Sequence, residues 1–232
     1  MKKHILSLFC IGVALLTASH ILAENAENYP ADISGQNAQL PEYYVGHSYD
    51  YPDFERSNNK SKWVVTNMKG DSPRANAQPV KVTSELAPQG NIKYSVKNIA
   101  DNSFQTAWAE DSEDYGIGEK ITMKVKSNCF KLSDGTKYCY PLSGMFIANG
   151  YVESRSEWND NSRVKRLKMY VDGVPVAYLN FNDEYNVQTI FFDEPINADK
   201  DIEITFEIIE VYPGTESKNT AITELDLMYN VY

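Results

Sequence analysis

From Val80 to Tyr232 the chain is a succession of short segments in which apolar and polar residues alternate, with turn-forming residues between them. Ile121-Thr-Met-Lys-Val125 places every second side chain on one apolar face, and Val164–Val171 does so in part. A period of two sends successive side chains to opposite faces of a strand. Asp172-Gly173 then separates that segment from Val174-Pro-Val-Ala-Tyr-Leu179, a hairpin signal. Val187–Phe192, Ile202–Ile209 and Ile222–Leu227 continue the pattern. No segment carries a long helical period, so parallel α/β folds are excluded, and Gly116-Ile-Gly118 lacks the following helix that a dinucleotide loop needs. The expected fold is all-β, a jelly-roll β-sandwich over residues 80–232.

The N-terminal third reads differently. Residues 1–23 have the form of a secretory signal peptide: basic Lys2 and Lys3, an apolar run from Ile5 to Leu16, and small Ala23 at the cleavage position. The run is too short for a membrane span, so the mature chain is expected to be secreted or periplasmic with no transmembrane segment. Residues 24–79 are rich in Asn, Ser, Asp, Pro and Tyr and read as an irregular extension or linker that partly docks on the domain. Its one convincing strand is Lys62–Thr66, and Tyr29, Tyr43, Tyr44, Tyr49 and Tyr51 are too many for a purely solvated tail.

Cleavage after Ala23 removes two lysines and no acid. The 22 basic and 32 acidic residues of the full chain become 20 and 32, a net charge of −12. Such acidity without basic clusters excludes nucleic acid and anionic lipid as partners. Only His47 remains of three histidines, which excludes a His-rich zinc site and leaves nucleophilic triads one irregularly placed candidate.

Cys129 and Cys139 remain of three cysteines. In an exported chain two cysteines read as one disulfide. If Ser133-Asp134-Gly135 is a three-residue hairpin loop with Gly135 left-handed, Leu132 faces Thr136 and Cys129 falls opposite Cys139.

Two distant segments carry the sharpest chemical signal. Asn98-Ile-Ala-Asp101-Asn-Ser103-Phe-Gln-Thr106-Ala-Trp108 holds Asp101 and Thr106 in a turn-rich stretch, and Ala221-Ile-Thr-Glu224-Leu225 opens the last alternating segment. Oxygens from a tight loop plus a carboxylate from a closing strand suit Ca²⁺, bound structurally. The alternative is that Asp101 caps a turn and Glu224 is a solvated edge charge.

These segments, with Gly116–Glu119, Ile147–Tyr151, Asn161–Lys165 and Val211–Gly214, resemble the discoidin-like (F5/8 type C-like, galactose-binding-domain-like) fold. Within it, the similarity is to the module of the translocation domain of bacterial NAD glycohydrolases, over roughly Val80–Tyr232. The resemblance implies that Asp101 and Glu224 give carboxylate oxygens, Thr106 its hydroxyl and carbonyl, and Asn98, Ser103 and Thr223 main-chain carbonyls. Asn102 stands where the pattern has Gly, and Asn tolerates a left-handed backbone.

Ligand-binding candidates lie in loops: Tyr115, Tyr151, Arg155, Trp158 and Asn159. A sugar stacks its C–H face on an aromatic ring while polar side chains take its hydroxyls, and Tyr151–Arg163 supplies both kinds. The alternative is a polar loop in which Trp158 covers the sandwich edge, and Trp108 reads as core. Asp111, Glu113, Asp114 and Glu119 form an acidic run, more in keeping with a solvated face than with paired hydrolytic carboxylates. The expected function is a non-catalytic exported module that binds a glycan or other surface ligand. The alternative is a structural or assembly protein that binds another protein.

Overall fold

The computed structural model describes residues 39–50 and 75–229. The signal segment and Lys62–Thr66 lie outside these residues. The described residues from Leu40 onward form one compact unit. It contains β1 (Glu42–Asp50), β2 (Ala77–Val82), a 3-10 helix (Val96–Ala100), β3 (Trp108–Ala109), β4 (Lys120–Val125), β5 (Cys129–Lys131), β6 (Lys137–Cys139), β7 (Leu142–Asn149), α1 (Arg155–Asp160), β8 (Ser162–Val171), β9 (Val174–Asn180), β10 (Asn186–Ile196), β11 (Ile202–Tyr212) and β12 (Thr220–Tyr229). Among the described residues no helix is long and apolar enough to cross a membrane.

The strands run in the order β2-β4-β11-β8-β9-β1-β10-β7-β12-β3. They fold over so that β2-β4-β11-β8-β9 faces β10-β7-β12-β3, an all-β sandwich. Ile121, Met123, Leu167, Ile204 and Phe206 from one layer meet Met145, Ile147, Ile190, Leu225 and Leu227 from the other in a single buried cluster. Trp108 is wholly buried in it and donates Nε1–H to the Ser84 carbonyl at 3.0 Å. It is core, as its setting in the sequence suggests.

The segment read as irregular contains a strand. Glu42–Tyr44 pairs parallel to Tyr178–Asn180 of β9, and Val45–Asp50 then pairs antiparallel to Asn186–Ile190 of β10, with a register shift at Gly46. β1 thus joins an edge of each layer into one continuous sheet. Tyr43 explains why a chain so rich in tyrosine there is not all solvated: it is 7% exposed and lies 5.5 Å from the Phe192 ring. Glu42 fixes the register, accepting from Arg166 Nη2 and from Asn180 Nδ2, the latter at 2.7 Å. β2 likewise begins inside the stretch read as extension, at Ala77.

The hairpin follows the sequence reading. Cys129 pairs with Cys139 and is disulfide-bonded to it. Leu132 N–H donates to the Thr136 carbonyl, and Gly135 has φ +88°.

Candidate functional site

The loops after the 3-10 helix, after β3, around α1 and before β12 carry the residues singled out above. Ser95 caps the 3-10 helix, and Asn98 Nδ2 donates to the carbonyls of Lys93 at 2.7 Å and Ala107 at 2.8 Å. That amide pulls both ends of the loop together. Asn102 takes the left-handed backbone, φ 62°, where the turn demands it.

Ser103 N–H then points between two carboxylates, 2.9 Å from Asp101 Oδ1 and 2.9 Å from Glu224 Oε1, although the two segments are 121 residues apart. The Thr106 hydroxyl donates to Asp101 Oδ2 at 2.7 Å and lies 3.3 Å from the Ser103 carbonyl. Glu224 is fully buried, so it is not the solvated edge charge of the alternative reading.

Two carboxylates drawn to one amide, with the Thr106 hydroxyl and Ser103 carbonyl beside Asp101, bring together oxygen atoms, the donor type that hard cations take. Among the described residues no three of His, Cys, Asp and Glu converge. A cation here would rest on Asp101, Glu224 and neutral oxygens. Asn98 and Thr223 have their side chains engaged elsewhere: the Thr223 hydroxyl accepts from Val152 N–H and donates to the Gly150 carbonyl. The role expected of both residues is that of their main-chain carbonyls.

Trp158 is 6% exposed, not an open platform. It sits in α1, whose N-cap Ser154 accepts from Glu157 N–H. The indole Nε1–H donates to the Asn149 carbonyl at 2.9 Å, and the Arg163 guanidinium stacks on the ring at 4.2 Å. Arg163 is held by Asp183 through both carboxylate oxygens. Gly150 exists for this contact: a Cβ there would meet Trp158 Cδ1 at 2.8 Å, and φ is +89°. Outside the indole, exposed Arg155 stacks on Tyr185 at 4.4 Å and lies 5.8 Å from the Trp158 ring.

Tyr151 is also buried, at 4% exposure. Its hydroxyl donates to Glu153 Oε2 at 2.8 Å, and half-buried Tyr94 meets its ring edge-on. Burial, reinforced by that bond to Glu153, holds its phenol well above the ordinary range, so it stays protonated.

Tyr115 belongs to another group. Its backbone is left-handed, φ 68°, and Lys218 Nζ lies 5.7 Å from its ring. Exposed Asn159 contributes its carbonyl, which accepts from Thr215 N–H. The five candidates therefore do not form one surface: Trp158 and Arg155 join Tyr185, Tyr151 joins Tyr94, and Tyr115 joins Lys218. Trp158 and Tyr151 form the backing of the loops.

Sequence reasoning missed Glu110, which organises the neighbouring loop. It is fully buried at the end of β3. Oε1 accepts from Thr220 N–H and Oε2 from Ser112 N–H, both at 2.6 Å. Burial pushes its carboxyl above the ordinary range against the pull of those bonds. Its one sequence signal is position, since it directly follows the apolar Ala107-Trp108-Ala109.

The family model for the NAD glycohydrolase translocation F5/8 type C domain matches residues 72–228. No curated protein matches the chain. Solved structures of similar shape include the family 32 carbohydrate-binding module of Streptococcus pneumoniae EndoD, at 13% identity and TM-score 0.48, covering 69% of this chain and 99% of that one. Another is the CBM32-1 and CBM32-2 pair of Clostridium perfringens ZmpB with GalNAc, at 10% identity and TM-score 0.47, covering 85% of this chain and 42% of that one. A third is a putative chitobiase fragment from Bacteroides thetaiotaomicron, at 13% identity and TM-score 0.45, covering 72% and 98%.

Proposed function

The chain belongs to the family of NAD glycohydrolase translocation F5/8 type C domains, and from that premise we propose that it is a non-catalytic, exported binding module. In this reading it recognises a carbohydrate or other surface ligand through its sandwich loops, which a structural Ca²⁺ holds in place. Bound between Asp101 and Glu224, the ion supplies charge balance and ties the loop after the 3-10 helix to β12.

The observation that carries the binding role is how the loop carboxylates are spent. Glu110 holds two main-chain amides, Glu119 accepts from the hydroxyls of Thr83 and Ser84, and Glu153 accepts from Tyr151. Asp114 accepts from Ser112 Oγ. Glycoside hydrolysis needs two carboxylates facing across a cleft, and these acids serve the loops instead. The outer loop surface keeps Arg155 and Asn159, two polar groups suited to hydroxyl-rich ligands.

The test is a glycan array probed with the full chain in calcium and again with chelator. Specific glycan binding that weakens on chelation supports the reading, and a folded protein that binds no glycan refutes the carbohydrate part. A protein partner is the second reading, favoured by Tyr44 and Phe191, large apolar residues 67% and 44% exposed on neighbouring β1 and β10.

A further inference from the structure

The described part of the protein holds three arginines, and each lies over an aromatic ring: Arg155 on Tyr185 at 4.4 Å, Arg163 on Trp158 at 4.2 Å and Arg166 on Tyr178 at 4.1 Å. Two of them are neutralised. Arg163 makes a two-point pair with Asp183, and Arg166 pairs with Glu42 and Glu210. Arg155 forms no ion pair with any described residue, in a chain whose net charge is −10.

The acidic side chains close in sequence to Arg155 and Tyr185 have partners of their own, Glu157 accepting from Asn161 Nδ2. Asp183 holds Arg163, Glu184 accepts from Asn186 Nδ2, and Glu153 accepts from the Tyr151 hydroxyl. The guanidinium lies over the Tyr185 ring and 5.8 Å from the Trp158 ring, contacts that do not satisfy its five N–H donors. It is exposed, and exposed Asn159 follows one helical turn on, at the spacing that puts two side chains on the same face.

A positioned, unpaired guanidinium beside an amide is a receptor for a planar anion that also carries hydroxyls. We infer that the ligand bound at this loop surface is an acidic sugar, a uronic or sialic acid residue, whose carboxylate is taken by Arg155 through two parallel hydrogen bonds while Asn159 takes a neighbouring hydroxyl. This rests on the carbohydrate reading above and narrows its ligand class. Charge-assisted two-point bonds of this kind are the strong ones, and they discriminate a carboxylate from a hydroxymethyl group at the same ring position.

The experiment is isothermal titration of the full chain with galactose, galacturonic acid and N-acetylneuraminic acid, for the wild type, Arg155→Gln and Arg155→Lys. The first two sugars differ only at C6. The wild type is expected to bind at least one acidic sugar about tenfold more tightly than galactose. The preference should shrink with added salt, disappear in Arg155→Gln and survive in part in Arg155→Lys, with the thermal midpoint of unfolding unchanged in both variants. Equal affinity for galactose and the acidic sugars overturns the acid preference and leaves the carbohydrate reading standing. A preference that survives in Arg155→Gln removes Arg155 from it. Absence of binding to all three, repeated on an array of neutral and acidic glycans, overturns both.

Discussion

Replacing Glu110 with Gln tests whether one buried carboxylate holds the acidic loop to the last strand. Both Glu110 oxygens accept a main-chain N–H, from Thr220 and Ser112, each at 2.6 Å. Gln offers one accepting oxygen and one donating amide of nearly the same size. One of the two amides must therefore face an N–H donor, and a buried donor left without an acceptor costs about 1–3 kcal/mol. Glu110→Ala abandons both amides and leaves a cavity, and the sum is about 3–5 kcal/mol. In a domain of this size each kcal/mol lowers the melting midpoint by roughly 2–4 °C. Equilibrium denaturation at neutral pH measures both variants. Glu110→Gln within about 0.5 kcal/mol of wild type, the usual span of a surface change, refutes the two-acceptor account. The pH dependence gives a second handle. Burial raises the folded-state pKa of Glu110 above its ordinary value, so the native state binds the proton more tightly. This group's contribution is fully present below the unfolded pKa and is lost as pH rises through the folded one. Asp201 and Glu210, lowered by Lys126 and Lys165, contribute in the opposite sense, with stability lost as pH falls. The difference between wild type and Glu110→Gln should therefore isolate a term that weakens the wild type on going from acid to neutral pH.

Other consequences can be measured directly. Trp158→Ala should destabilise by about 3–5 kcal/mol as a core deletion, and a stable variant that only loses ligand would show the indole to be a surface platform after all. Tyr43→Ala should speed amide exchange at Tyr178–Asn180 and Val187–Ile190, the partners of β1, before the rest of the sandwich, with unchanged exchange there refuting its anchoring role. Changing Cys129 and Cys139 to Ser should cost about 2–3 kcal/mol, the scale for a loop this short, and denaturation midpoints unchanged by reductant would contradict it. Calcium should raise the melting midpoint of the wild type and not of Glu224→Gln. A rise that survives in the variant would take Glu224 out of the ion's reach.

What the sequence made legible is what alternates. β4, β8, β9 and β11 each bury one face and leave positions of the other partly in solvent, so their period of two survives in the residues. β7 does not. All eight residues of Leu142–Asn149 are buried, because it lies between β10 and β12 with both faces covered. A strand covered on both sides need not alternate, although β12, buried along its whole length too, still does in part. β1 was hidden for the opposite reason, since only Tyr43 among its described side chains is buried while Tyr44, His47 and Ser48 are exposed. The candidate site divides along the same line. The meeting of Asp101 and Glu224 was legible because turn residues and a closing strand announce it. The burial of Trp158 was legible only as the alternative reading, because it depends on Gly150 and Arg163, whose roles appear only when β7 and β8 lie side by side.

The strand that joins the two layers has a temporal meaning as well. Glu42 and its neighbours are made before nearly all the other described residues, yet their anchors Arg166 and Asn180 stand 124 to 138 residues downstream. Contacts that distant in sequence form late, after the loops between have been closed. The first of the described strands to leave the ribosome is thus among the last to find its place. Until it does, the facing edges of β9 and β10 are raw backbone open to other chains. The first moments of this protein's life are the ones in which it most needs to be kept apart from its own copies.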